Sequence, residues 1–430
     1  MTGSPRPLPA LQRVFPELYY GWVISIASSL LSFVCVGIGF YGMTVLLDGL
    51  SRADGATRSS VSAATALYFV ITAVVGSVVG RLVDRLGARG FIGVGALVMG
   101  VGLLLVGSVA QDGRLYTAYA VMSIGFAMCG GVPNSAIVTR WFVHYRARAM
   151  TFTHTGVSIG GIVLVPLATW LIQARGLAEA TRWLAALLVG VALPVTVFAL
   201  RSDPRRYGLE PDGGRTPAVE NPLLSREAQA RHWRPRELLR TRTFWTLALA
   251  FASILFCQQA MLLHQLAFLR EPLGAHGAAL AVSTAAFGSA AARLVIGGIF
   301  ADRVEKRRLG VALFLVQAVA LVAYTIAPRP WLLFPIALVF GFTIGNIYLL
   351  QALLAGELFG QVSFGTAFGL LQLITALCGA LGPLALGLLF DALGGYAAGL
   401  RILAGIAVFA AAVLWSVRPP AAAPSPQVTG

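Results

Sequence analysis

The sequence predicts an all-α polytopic membrane protein, with twelve transmembrane helices in two six-helix bundles. Three observations carry that prediction. Of 430 residues, 57% are hydrophobic (AVILMFWYC) and only 11% charged, with a mean hydropathy of +0.80, where soluble domains carry roughly 25% charged residues. Apolar runs recur from Tyr19 to Trp415, and no segment between them is long enough for a folded soluble domain. A short charged motif also returns half a chain length after its first appearance. An ordinary soluble enzyme is excluded by this composition, and 24 Phe and 8 Trp exclude a disordered chain. The four cysteines, Cys35, Cys129, Cys257 and Cys378, lie inside apolar runs and lack the spacing of a metal site or a disulfide scaffold.

A spanning helix needs about 20 mostly apolar residues. Cutting the chain where charges, Pro or Gly clusters interrupt such runs gives spans near 20–46, 60–80, 91–110, 115–139, 149–173 and 182–200 in the first half. The second half gives 243–268, 278–300, 309–327, 331–354, 365–389 and 397–416. Residues 201–242 hold Pro204, Pro211, Pro217, Pro222 and Pro235 among many charges and read as a linker. The expected organisation is a terminal segment at 1–19, a bundle at 20–200, the linker at 201–242, a bundle at 243–417 and a tail at 418–430. Residues 1–17 lack a short apolar core followed by a small-residue cleavage site, so the first apolar run is expected to be a retained helix.

The net charge of +15 arises from 32 Lys+Arg against 17 Asp+Glu, and Lys306 is the only lysine. Basic loops are retained on the cytoplasmic side during insertion. With both termini cytoplasmic, 23 basic residues fall on the inner side and 7 on the outer. The charge therefore reads as a topology signal, and no nucleic-acid partner is expected.

Gly80, Asp84 and Arg85, in GRLVDRLGAR after the second span, recur as Gly298, Asp302 and Arg303 in GIFADRVEKRR after the eighth. The offset is 218 residues (302 minus 84), close to half the chain, and implies a duplicated six-span unit. A glycine allows close helix approach, while Asp and Arg at the membrane rim can pair to hold one bundle against the other and part when it opens. The competing role for such residues is simple capping and topology, which matched duplication disfavours.

On these features the chain resembles the major facilitator superfamily, whose members carry a G-x-x-x-D-R-x-G-R-R-like motif between spans two and three and a weaker copy between spans eight and nine. Within it, YYGW at 19–22, RWFVHYRARAMTFTHTGVSIGG at 140–161 and GPLALGLLFDALGGY at 382–396 resemble the monocarboxylate and oxalate/formate porters. Trp141, Phe142, Arg146 and Arg148 fit that branch, while residues 150–155 depart from its small-residue pattern. The resemblance implies secondary active transport by alternating access, as symport or antiport.

A charge within the hydrocarbon costs at least about 2.5–3.5 kcal/mol for a central Arg on insertion scales, which makes it a functional candidate. Arg293 is placed there, nine residues before Asp302 and so roughly 13 Å from the inner end of its span. Its guanidinium offers a planar fork matched to a carboxylate, so the expected substrate is a small organic anion. The resemblance points the same way, because monocarboxylate porters engage the substrate carboxylate with an Arg in span eight, and Arg293 with Gly297 fits their R-x-x-x-G pattern. Ser289 stands where relatives carry an Asp one turn earlier, which departs from an Asp-Arg proton switch. The Lys that oxalate porters carry in span eleven is missing, which favours a monocarboxylate over a dicarboxylate. Structural pairing with backbone carbonyls is the competing role for Arg293.

His154 lies roughly 9 Å inside span five and is a candidate for proton coupling or for a bond to Thr151, Thr153 or Thr155. His264, near the outer end of span seven, reads equally as an interfacial residue. Gln372 in span eleven and Tyr68 in span two fall at depths suited to shaping a central site. Asn346 joins them as a candidate, and Asn134 and Gln258 are further polar positions that can serve as helix-to-helix bonds. Gly156-x-x-x-Gly160 and Gly365-x-x-x-Gly369 are expected to permit close contacts between helices.

No phosphate loop, H-E-x-x-H or Cys/His cluster is present in the sequence, so neither enzyme activity nor a cofactor or metal is expected. The expected partners are a small organic anion, protons or a counter-anion, and membrane lipids, with the protein a monomer in the plasma (bacterial inner) membrane. A drug exporter on the same fold would need an acidic residue in the cavity, and a membrane receptor a signalling domain; neither is evident.

Overall fold

In the computed structural model, residues 19–51, 58–108, 114–142, 145–214, 233–295, 305–327, 329–359 and 364–418 are described. The apolar runs form helices α1 (Tyr20–Leu50), α2 (Arg58–Leu86), α3 (Ala88–Ser108), α4 (Arg114–Trp141), α5 (Arg146–Arg175) and α6 (Leu177–Ala199). A single helical run follows over Arg242–Val295, then α9 (Lys306–Ile326), α10 (Leu333–Phe359), α11 (Phe364–Leu393) and α12 (Tyr396–Trp415).

The run Arg242–Val295 has 54 residues, which as one straight helix would extend about 80 Å, against a hydrocarbon core of about 30 Å. It breaks at Gly274, whose backbone (φ 68°, ψ 176°) is one that a side chain disfavours. Residues 242–273 are therefore α7 and residues 275–295 are α8. Eleven helices among the described residues are long and apolar enough to span a membrane. One of these holds both α7 and α8, so the chain crosses twelve times. The face that carries the start of α1 and the end of α12 is called the terminal face below.

Local chemistry shapes two other helices. Gly130 leaves helical geometry (φ −78°, ψ −146°) and Pro133 follows three residues later, dividing α4 into Arg114–Cys129 and Gly131–Trp141. In α1, residues Ser32–Tyr41 are wound as a π-helix, a geometry frequent at functional sites.

The first bundle packs α1 on α5, α3 on α4 and α6, and α2 on α4; in the second, α9 packs on α10 and α12. Glycine sets the closest approaches. A Cβ on Gly156 would meet the backbone oxygen of Ser29 at 2.0 Å, and one on Gly160 would meet the Cα of Gly37 at 2.7 Å. The first G-x-x-x-G pair thus seals α5 against α1 within one bundle. Gly369, of the second pair, has open space where a Cβ would be.

Two of the signature stretches meet in space. Tyr19, Tyr20 and Trp22 form an aromatic cluster with Trp141 and Phe142, with ring centroids 5.0–6.0 Å apart. The Tyr19 hydroxyl donates to the carbonyls of Trp141 (2.8 Å) and Glu210 (3.1 Å), and the Trp141 indole donates to the carbonyl of Arg201 (2.8 Å). These bonds tie the start of α1, the end of α4 and the linker together at the terminal face. Trp233, later in the linker, is buried against Phe359 of α10.

The first charged motif ends α2 and begins α3. Gly80 lies 3.6 Å from Val132 of α4, measured from the Cβ it lacks. Arg89 donates to the carbonyls of Thr196 (2.9 Å) and Val197 (2.6 Å) in the last turn of α6, satisfying oxygens that a helix end leaves unpaired. The side chains of Asp84 and Arg85, and Gly298, Asp302 and Arg303, lie outside the described residues.

Between the bundles, polar contacts knit the half of the molecule away from the terminal face. Arg270 of α7 forms an ion pair with Asp48 of α1 at 2.7 Å, and the Leu266 N–H donates to the Thr44 hydroxyl at 3.2 Å. The Ser59 N–H of α2 donates to Asp391 of α11 at 3.2 Å. His264, which reads equally as an interfacial residue from the sequence, is fully buried. Its ring bonds Ser62 of α2 (3.1 Å), Tyr396 of α12 (2.9 Å) and the Pro383 carbonyl (3.0 Å). The sequence could not reveal this because the partners lie 119 or more positions away.

Candidate functional site between the bundles

Helical periodicity identifies the surfaces that turn toward the opposite bundle. Residues separated by 7 or 11 positions share one helix face. On α7, Leu266 and Arg270 touch α1, and Gln259 lies 7 and 11 positions before them on that same face. On α11, a Cβ at Gly387 would press on Ser59 and Ser62 of α2, while Gln372 lies 7 positions before Gly379, on the face whose Cβ position meets Gln259 of α7. On α8, Ala286 meets Gly161 of α5, and Arg293 follows 7 positions later.

Arg293 crosses the interface. Its Nη1 donates to the Ser158 hydroxyl at 3.0 Å and to the backbone carbonyl of His154 at 3.2 Å, both on α5. All hydrogen bonds of this partly buried guanidinium use Nη1, and no carboxylate among the described residues pairs with it. The edge formed by Nε and Nη2 makes no hydrogen bond among those residues. Tyr41, at the end of the π-wound stretch of α1, lies close enough to Arg293 to interact with it electrostatically. Tyr41 is buried, and its ring packs where a Cβ on Gly161 would come within 2.9 Å. Nothing in the sequence singles out Ser158 or Tyr41, since serines and tyrosines recur throughout the spans.

The remaining candidates are placed differently. The backbone of His154, not its ring, holds Arg293. Neither neighbouring threonine holds the ring: Thr155 bonds the Thr151 carbonyl, and Thr153 lies against Ser25. Gln372 is partly exposed on the α11 face just described. Tyr68 is wholly buried in the first bundle, stacked on Phe126, with its hydroxyl donating to the Gly39 carbonyl at 3.0 Å. Asn346 is buried on α10 and donates to the Phe342 carbonyl at 3.1 Å. Asn134 and Gln258 bond helix to helix within their bundles, to Ser32 and Gln317.

Sequence reasoning also passed over Gln259. Its amide donates to the Tyr348 hydroxyl of α10 at 3.3 Å, and its Cγ lies 3.4 Å from the Cβ position of Gly379. Consecutive glutamines point about 100° apart on a helix, so Gln258 enters the second bundle while Gln259 faces the first.

Twelve membrane-crossing helices in two bundles, meeting around a guanidinium that has no carboxylate partner among the described residues, define an integral membrane protein built to move a solute. The Major Facilitator Superfamily model matches residues 29–275 and 265–429, and the chain belongs to that family of transporters. It is similar to monocarboxylate transporter 13 of Bos taurus, 29% identical over 77% of this chain and 76% of that one. It is also 24% identical to the oxalate:formate antiporter of Oxalobacter formigenes, over 55% of this chain and 52% of that one. Among solved structures, a bacterial homologue of the human lysosomal transporter Spinster has the same fold, with a TM-score of 0.65 and 18% identity, covering 93% of this chain and 96% of that one.

Proposed function

We propose that the protein is a secondary active transporter of a small monocarboxylate, working by alternating access, in which Arg293 binds the substrate carboxylate. One observation carries this reading: Arg293 spends a single nitrogen on two neutral oxygens and leaves its Nε and Nη2 edge without a partner among the described residues. A guanidinium in the membrane interior is costly unless compensated. A carboxylate on that edge would compensate its charge through two parallel hydrogen bonds. The names of the relatives, a monocarboxylate transporter and an oxalate:formate antiporter, support an organic anion. Gln372 lines the site, His154 holds Arg293 through its backbone carbonyl, Tyr68 and Asn346 support it from within their own bundles, and the pairs Asp84/Arg85 and Asp302/Arg303 hold the terminal face closed when the opposite face opens. The excess of Arg on the terminal side supports cytoplasmic termini in the plasma (bacterial inner) membrane. Coupling is by proton symport or anion exchange.

The test is counterflow of labelled lactate, pyruvate, formate and oxalate into proteoliposomes, with wild type beside Arg293→Ala and with an imposed pH gradient. Saturable monocarboxylate flux that falls at least about 30-fold in the variant is expected, the lower end of what truncating a buried charge partner costs. A pH-gradient response identifies symport. Equal flux in both proteins refutes the role of Arg293.

A further inference from the structure

The partnering of Gln259 with Tyr348 raises a question that the carboxylate site alone does not answer. Among the described residues, the second bundle contains two Gln–Tyr pairs. Gln265 donates to Tyr324 at 2.9 Å, and both residues are buried in the contact between α7 and α9. Gln259 and Tyr348 are both partly exposed, and Gln259 occupies the α7 face that carries Leu266 and Arg270 to the first bundle. One pair is therefore sealed inside a bundle, and the other lies on the side of α7 that turns toward the first bundle.

Their depths also agree with the carboxylate site. Gln259 precedes Gly274 by 15 positions, and Tyr348 follows Leu333, the start of α10, by 15. Each is thus about 22 Å below the face opposite the termini. Arg293 follows Gly274 by 19 positions, about one helical turn deeper at about 28 Å, a difference that its long side chain can span.

We propose that Gln259 and Tyr348 form a second recognition point, which selects monocarboxylates carrying a hydroxyl group near the carboxylate. The inference rests on the carboxylate reading of Arg293. In the pair as it stands, the Gln259 amide donates to the Tyr348 oxygen. The Tyr348 O–H and the Gln259 carbonyl oxygen make no other hydrogen bond among the described residues. One donor and one acceptor are thus free side by side. A hydroxyl, itself one donor and up to two acceptors, satisfies both at once, whereas a keto oxygen can use only the Tyr348 O–H and a methyl group neither. An acid lacking the hydroxyl would strip water from this pair without replacing its hydrogen bonds, and that penalty is what produces selectivity.

The experiment measures counterflow KM for lactate against propionate and for 3-hydroxybutyrate against butyrate, in wild type, Tyr348→Phe, Gln259→Leu and Tyr324→Phe. In at least one pair, wild type is expected to favour the hydroxylated acid about tenfold. Tyr348→Phe and Gln259→Leu are expected to raise KM for the hydroxylated acid to that of its parent, leaving the parent within about twofold. Tyr324→Phe, which alters the buried pair, is expected to keep the preference. If wild type handles both members of each pair equally, or if the preference survives in both Tyr348→Phe and Gln259→Leu, the inference is overturned while the carboxylate reading stands. If a folded wild type moves none of the four acids, the carboxylate reading fails and takes this inference with it.

Discussion

The two bundles solve the same packing problem with different chemistry. In the first, the spans contain one glutamine, Gln173 near the end of α5, and the centre is filled by rings such as Tyr68 stacked on Phe126. The spans of the second hold Gln258, Gln259, Gln265, Gln317, Gln351 and Gln372. There Gln258 donates to Gln317, Thr343 donates to the same oxygen, and Gln351 donates to Thr375. Both bundles use glycine for close approach, as at Gly156 against Ser29 and Gly345 against Ser289. The two halves thus share glycine packing while buried glutamines gather in the second, and Arg293 belongs to that half. Its hydrogen bonds to His154 and Ser158 of α5 set the proposed carboxylate site against the first bundle.

This contrast can be broken first at Gly156. A Cβ there meets backbone, which cannot yield as a side chain can. Gly156→Ala is expected to destabilise the protein by about 1–3 kcal/mol, read as a lower unfolding temperature in detergent. The polar interior of the second bundle is next. Gln317→Leu removes the shared acceptor of Gln258 and Thr343 and is expected to cost about 1–2 kcal/mol, in the range of interhelical bonds in membranes. A smaller effect is expected at the seam away from the termini. Asp48→Asn weakens the pair with Arg270, and cysteines placed beyond it on α1 and α7 should react severalfold faster with a water-soluble thiol reagent. Smallest of all, Gly369→Ala should change the unfolding temperature very little, because nothing lies where its Cβ would go.

The spans could be read from the sequence because hydropathy acts locally, and each expected run corresponds to a helix. Three features escaped that reading for physical reasons. The break expected between 268 and 278 is a single backbone torsion at Gly274 with helix on both sides, a continuity that polarity alone does not reveal. The π-wound stretch Ser32–Tyr41 is as apolar as the turns around it. His264 carries no local sign of Ser62, its partner across the interface, or of Tyr396, its partner in the same bundle. At the site, Arg293 was legible because a charge in an apolar run is conspicuous. Ser158, 135 positions away, and the distinction between Gln258 and Gln259 were not, because helix orientation and long-range contact decide them.

The central claim is that the free edge of Arg293 binds a carboxylate, and calorimetric titration of purified protein tests it most directly. Wild type, Arg293→Lys and Arg293→Ala would each be titrated with lactate, propionate and the uncharged lactamide. Wild type is expected to bind an acid and not the amide, Arg293→Lys to bind that acid more weakly because a point charge cannot replace the planar fork, and Arg293→Ala to bind neither acid. Binding of lactamide as tightly as lactate, or unchanged acid binding by Arg293→Ala, would contradict the account.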